Sequence, residues 1–130
     1  MESAQRLLEA KERYPVGSEN WAKATAQAFG TLKLEECAEA AKPEWWNDEG
    51  LKVLSARGVR VAPDDLQANQ MRAMVLTGQA VAWEAGPRSA AELMEAATHY
   101  DRAVALNPAP AGKAAFAGGA AWCRSQAGLM

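Results

Sequence analysis

Apolar and polar positions between residues 96 and 108 alternate with the period of a helix. Ala96, Tyr100, Ala103 and Leu106 recur at spacings of four, three and three, and Pro108 closes the run. The stretch LSARGVRVAP, residues 54–63, is built the same way and also ends on a proline. Period-2 alternation is almost absent, with VRV at 59–61 the one short strand candidate. Helix-start chemistry is plentiful. Ser89 with Glu92 reads as a capping box, Asp64 with Gln67 follows the same logic, and Asn47 and Ser18 each precede acidic residues. Stops stand at Pro15 with Gly17, Pro43, Gly58 with Pro63, Gly86-Pro87, and Pro108 with Pro110. These signals predict an all-α chain with helices at about 3–13, 18–41, 47–58, 64–84, 89–106 and 110–126, Gly30 being a point where the second could divide.

The two proline-closed helix ends align with an offset of 45 residues, Pro63 lying over Pro108. In that register Gly58 lies over Ala103, and Val59 and Val61 lie over Val104 and Leu106. The following helices continue it, with Met71 over Phe116 and Ala73 over Gly118. Small residues at such points let two helices approach closely, and large ones fill the space beside them. Pro15 heads a weaker third copy, followed by Trp21, Ala24, Thr25 and Ala28. A repeat near this length suits an array of helical hairpins.

The residues Ala96, Tyr100, Ala103, Leu106 and Pro108 resemble the second helix of a tetratricopeptide repeat, and Trp21, Ala24, Thr25 and Ala28 resemble a degenerate first helix. The resemblance covers 47–126 best and 1–42 weakly. It implies one domain, 1–130, of antiparallel helical hairpins stacked as a short right-handed array. The family repeat is about 34 residues, so this one is longer by about three helical turns of 3.6 residues each. The region 74–95, with AWEAGPRSAAE as an elongated tip, is expected to absorb the difference.

Bulk properties narrow the function. The chain has 130 residues, 49% hydrophobic and 23% charged, with net charge −2. That balance suits a globular domain and not a generic, basic nucleic-acid binder. No apolar run reaches the roughly 18 residues of a membrane span, and the charged start MESAQRLLEAKERYP lacks the apolar core of a signal peptide. A cytoplasmic setting is expected, with Cys37 and Cys123 as buried free thiols.

Enzyme chemistry finds little to stand on. His99 is the single histidine, without partners at metal-ligand spacing, and it should lie off the Ala96–Tyr100–Ala103–Leu106 stripe, towards solvent. The neighbours Glu35-Glu36 and Asp64-Asp65 point about 100° apart on a helix and do not converge. No phosphate loop, dinucleotide fingerprint, nucleophile elbow or Cys-x-x-Cys pair occurs, and Gly118-Gly119 suits close helix packing. No catalytic residue, metal ligand or cofactor is therefore expected.

Five tryptophans are the unusual feature. Trp21 should fill a gap between helices. In KPEWWNDEG one of Trp45 and Trp46 should pack under the turn and the other stay partly exposed; these two and Trp83 are candidate aromatic anchors. The resemblance implies a groove lined by first helices, with Asn69, Arg72 and Thr77 on one and Lys113 and Trp122 on the next. The family's Lys and Asn set for a peptide carboxylate is not matched at those places. The reading that results is a non-enzymatic module binding a peptide or protein segment. The alternative is a small helical enzyme or ligand-binding bundle with a pocket of Trp83, His99, Tyr100 and Trp122. A final helix without a polar cap would also be open to self-association.

Overall fold

The computed structural model describes residues 11–32, 45–78, 83 and 85–130, and within them all regular structure is helical. Five helices follow in order: α1 (Glu19–Leu32), α2 (Asp48–Val61), α3 (Leu66–Thr77), α4 (Ala90–Leu106) and α5 (Pro110–Gly128). A helical turn at 11–13 precedes them. The rest of the expected 3–13 helix, 33–41 of the second, and Glu35, Glu36 and Cys37 lie outside the described residues.

Local chemistry sets most of the boundaries. Ser18 accepts from the Trp21 amide, Asn47 from Gly50 and Ser89 from Glu92, whose carboxylate answers as the second half of a capping box. At α3 the cap is Asp65, accepting from Ala68, and not Asp64, which is exposed. Gly30 does not divide α1, which runs through it to Leu32. Gly58 does not end α2 either. It is buried inside the helix, and the strand candidate 59–61 forms the last turn. The expected 64–84 helix stops early because Gly78 takes a left-handed φ of +66°, a conformation glycine adopts without strain. Of the tip expected to absorb the extra length of the second repeat, 85–89 are non-helical, while 79–82 and 84 lie outside the described residues.

Contacts fix the topology. Asn69 meets His99 and Arg72 meets Glu95, so α3 and α4 run in opposite directions. Arg72 also reaches Ser55 and Lys52 across α2, and Asp101 meets Arg124 while Val104 meets Lys113 across α4 and α5. α1 packs on α2 and α3, α2 on α3, α3 on α4, and α4 on α5. The main core joins Phe29, Trp46, Leu51, Met71, Val75 and Trp83. Phe29, Trp46 and Trp83 form a triangle of rings with centroids 5.6–6.0 Å apart, in tilted and edge-on geometries that favour aromatic pairs. A second cluster gathers Leu76, Ala96, Ala97, Ala120 and Cys123 under Tyr100 and Trp122. Cys123 is a buried free thiol, raised in pKa by desolvation.

Candidate functional site

The groove residues expected on α3 are committed internally. Asn69 is fully buried, and its amide nitrogen donates to the carbonyls of Pro63 and Asp65, both at 2.9 Å. Its oxygen is thereby left as an acceptor 3.0 Å from His99 Nδ1, so that ring nitrogen carries the proton. His99 itself is only 7% exposed, against the expectation that it faces solvent. The reason is that α4 is flanked by both α3 and α5, which widens its buried face beyond a single stripe. His99 Nε2 sits 3.4 Å from Glu95. Burial pushes its pKa below the usual histidine value, with Glu95 acting the other way.

Arg72 holds this junction together. Its Nε donates to Glu95 at 2.9 Å, and one terminal nitrogen donates to the Lys52 carbonyl and to Ser55 Oγ. Thr77 donates to the Met74 carbonyl. Polar groups of α2, α3 and α4 therefore form a continuous seam, extended by Lys52 pairing with Glu92 at 2.7 Å. The seam fastens helices and leaves Asn69 nothing to offer a ligand.

A second fastening lies at the α3–α4 connection, where sequence reasoning saw only a helix tip. All five N–H directions of the Arg88 guanidinium are used: Nε on the Leu76 carbonyl, the others on Asp48, Gly86 and Val75. The side chain is 6% exposed. It closes the open carbonyls at the end of α3 and ties them to the first turn of α2. The Arg88 guanidinium above all, with Trp83 Nε1 and the Gly86 amide as further donors, holds the Asp48 carboxyl well below the ordinary range. The sequence signal was a basic residue just past a Gly-Pro pair, but Asp48 read adequately as helix-start chemistry.

The aromatic candidates separate. Trp46 and Trp83 are buried in the main core and do not serve as exposed anchors. Trp45 is half-buried, its ring tilted against that of Trp46 at a centroid distance of 5.9 Å. The alternative pocket does not assemble: Trp83 belongs to the main core, His99 to the seam, and Tyr100 with Trp122 to the α4–α5 cluster. Tyr100 stacks on Phe116, and desolvation raises its pKa to about 12. Two shallow hollows of about 210 and 250 Å³ flank Pro63 and Asp64, below the roughly 300–1,000 Å³ of small-molecule sites. Among the described residues no three His, Cys, Asp or Glu side chains gather as a metal site, and no helix is long and apolar enough to cross a membrane.

α5 differs from the rest. Lys113 donates to the Val104 carbonyl and so caps the end of α4. Trp122 is half-buried at the edge of the α4–α5 cluster. The inner face is carried by Ala120 and Cys123. Gly119 touches Tyr100 so closely that a Cβ there would lie 3.0 Å from the ring. Gly118, the expected small packing position, has nothing within 4 Å of that point. Its side of the helix carries Ala111, Ala114, Gly118, Ala121, Ser125 and Gly128, all exposed, at alternating spacings of three and four. This stripe lies about 200° around the helix from the buried positions, on the face turned away from α4. Comparison with protein-family models, with curated proteins and with solved structures finds no match to this chain.

Proposed function

We propose that the chain is a non-enzymatic, tetratricopeptide-like interaction module that receives a helical segment of another protein along the outer face of α5. The observation that carries the reading is the bare stripe from Ala111 to Gly128. A helix face turned to water ordinarily bears charged residues. This one is built of Ala, Gly and Ser, with Trp122 at one border and Arg124 at the other. Small residues at spacings of three and four let a second helix come close along its whole length. The tetratricopeptide-like order supports the same reading: α2 and α4 end at Val61 and Leu106, which are 45 residues apart, each before a proline. Asn69 and Arg72 are left out of the proposed contact surface because the seam uses them, Thr77 because its hydroxyl donates within α3, and Lys113 because it caps α4, so Trp122 is the groove candidate retained as a contact. A cytoplasmic setting belongs to the proposal, supported by the unpaired Cys123 thiol.

The test is affinity capture with Gly118→Glu and Ala121→Glu beside Arg57→Glu, a control at an exposed site on α2. The two α5 variants should fold and lose the partner, while the control keeps it. Retention of every partner by both α5 variants contradicts the reading. Sedimentation of the purified chain separates a foreign partner from a second copy.

A further inference from the structure

Lys11 projects its ammonium group between two indoles, 5.5 Å from the ring centre of Trp21 and 5.3 Å from that of Trp45. Both walls are fixed by the fold. Trp21 sits in the first turns of α1, 2% exposed, and packs against Ala22 and Ala62. Trp45 is held by its backbone, whose carbonyl accepts from Asn47 and lies against Gly50, where a Cβ would come 2.4 Å from that oxygen. The lysine between them is half-buried and stands just before an exposed bend that runs through Pro15 and Gly17 to α1, Gly17 at φ +88°.

The spacing carries chemical information. A cation–π contact draws a cation to a ring face within about 6 Å of its centre. An N–C bond of about 1.5 Å and a carbon–carbon contact of about 3.5–4.0 Å together span about 5.0–5.5 Å. The nitrogen therefore stands off each ring by the thickness of one methyl group. We propose that Trp21 and Trp45 form a binding site for an N-methylated ammonium group, and that Lys11 occupies it from within as a displaceable plug. Quaternary ammonium is the favoured class, since its methyl groups meet both indole faces and it sheds water more easily than a primary amine. Partial desolvation of the Lys11 ammonium, which lowers its pKa, agrees with a site better suited to a less hydrated cation.

Tetramethylammonium chloride, titrated at constant ionic strength against sodium chloride, serves as the probe, with tryptophan fluorescence as readout. Lys11→Ala should give a saturable change. The wild-type chain and Lys11→Met, which keeps an apolar stem in the site, should bind more weakly. Adding Trp45→Ala to Lys11→Ala should weaken binding by about tenfold, as expected for the loss of one desolvated cation–π wall. Failure of Lys11→Ala to bind better than wild type, or indifference to Trp45→Ala, overturns the proposal. Proton NMR of the unaltered chain gives a check that needs no variant. The Lys11 methylene protons next to nitrogen should be shifted upfield of those of other lysines, and an ordinary shift there also overturns it.

Discussion

α3 and α5 each follow a proline-closed helix, and each packs along α4. α3 has three helical neighbours, and six of its twelve residues are buried: Ala68, Asn69, Met71, Ala73, Val75 and Leu76. α5 has α4 alone as a substantial neighbour among the described residues, and Ala120 and Cys123 are the two of its nineteen that are buried. Equal spacing from a proline does not give equal surroundings. Ala73 is completely enclosed, whereas Gly118, which lies over it in the alignment, faces open space. α3 has its polar atoms bound into a seam and its end carbonyls closed by Arg88. α5 carries a face that the described fold leaves uncovered. The difference separates a region whose side chains hold the molecule together from one that, in the reading proposed above, meets a partner.

The largest expected effect breaks the enclosed side. Arg88→Ala removes the guanidinium from Asp48 and from the Val75 and Leu76 carbonyls, and should destabilise the chain by about 3 kcal/mol, the low end for breaking a buried pair because Asp48 keeps some contact with water. Urea unfolding at neutral pH measures it. Ala103→Leu, at a completely buried position of α4, should cost about 1–3 kcal/mol by overpacking. A harmless Ala103→Leu would mean that α4 is rotated from the position described.

His99→Ala should cost about 1–3 kcal/mol, since it strands the Asn69 oxygen in the interior. The same site gives a pH dependence. Folded His99 has a lowered pKa, so the unfolded chain takes the proton more readily. Its neutral form is fully tolerated above the unfolded value of about 6.5, and stability declines as pH falls through that value toward the folded one. Asp48 adds a second loss at lower pH. Its stabilisation is complete above the ordinary carboxylate pKa of about 3.9 and disappears as pH falls toward the depressed folded value. Unfolding curves from pH 8 to 4 should therefore weaken below about pH 6.5, and His99→Gln should flatten that limb. An unchanged slope in the variant would remove His99 as its cause.

The smallest effects sharpen the contrast within α5. Gly118→Ala meets no atom and gains helix propensity, so it should stabilise by about 0.5–1 kcal/mol. Gly119→Ala drives a methyl group against Tyr100 and should lose that gain or more. Thermal unfolding of the pair reads which side of α5 is covered.

Much of this was legible in local chemistry. Asn47, Ser89 and Pro108 act within one helical turn of themselves, so their roles follow from near neighbours. Gly78 shows the limit: its left-handed cap ends α3 in a run that otherwise continues a helical pattern, and Arg88 arrives from ten residues away to complete the stop. Asn69 and Arg72 had the right chemistry for a groove, but whether a polar residue meets a ligand or a neighbouring helix depends on contacts up to 30 residues distant in sequence. His99 was misplaced for the same reason, its partner lying on another helix. Trp46 and Trp83 joined one core with Phe29 through residues no periodicity links. The outer stripe of α5 is plain in the sequence once its inner face is known from Gly119 and Cys123.

Site-specific photo-cross-linking tests the central claim most directly. A photoreactive side chain at Ala114 or Ala121, on the bare stripe, is compared with one at Arg57 on α2, all three positions exposed. The account predicts a discrete adduct with a foreign protein at Ala114 and Ala121 and none at Arg57. Equal labelling at all three positions, adducts of the chain with itself alone, or no adduct at the stripe would contradict it.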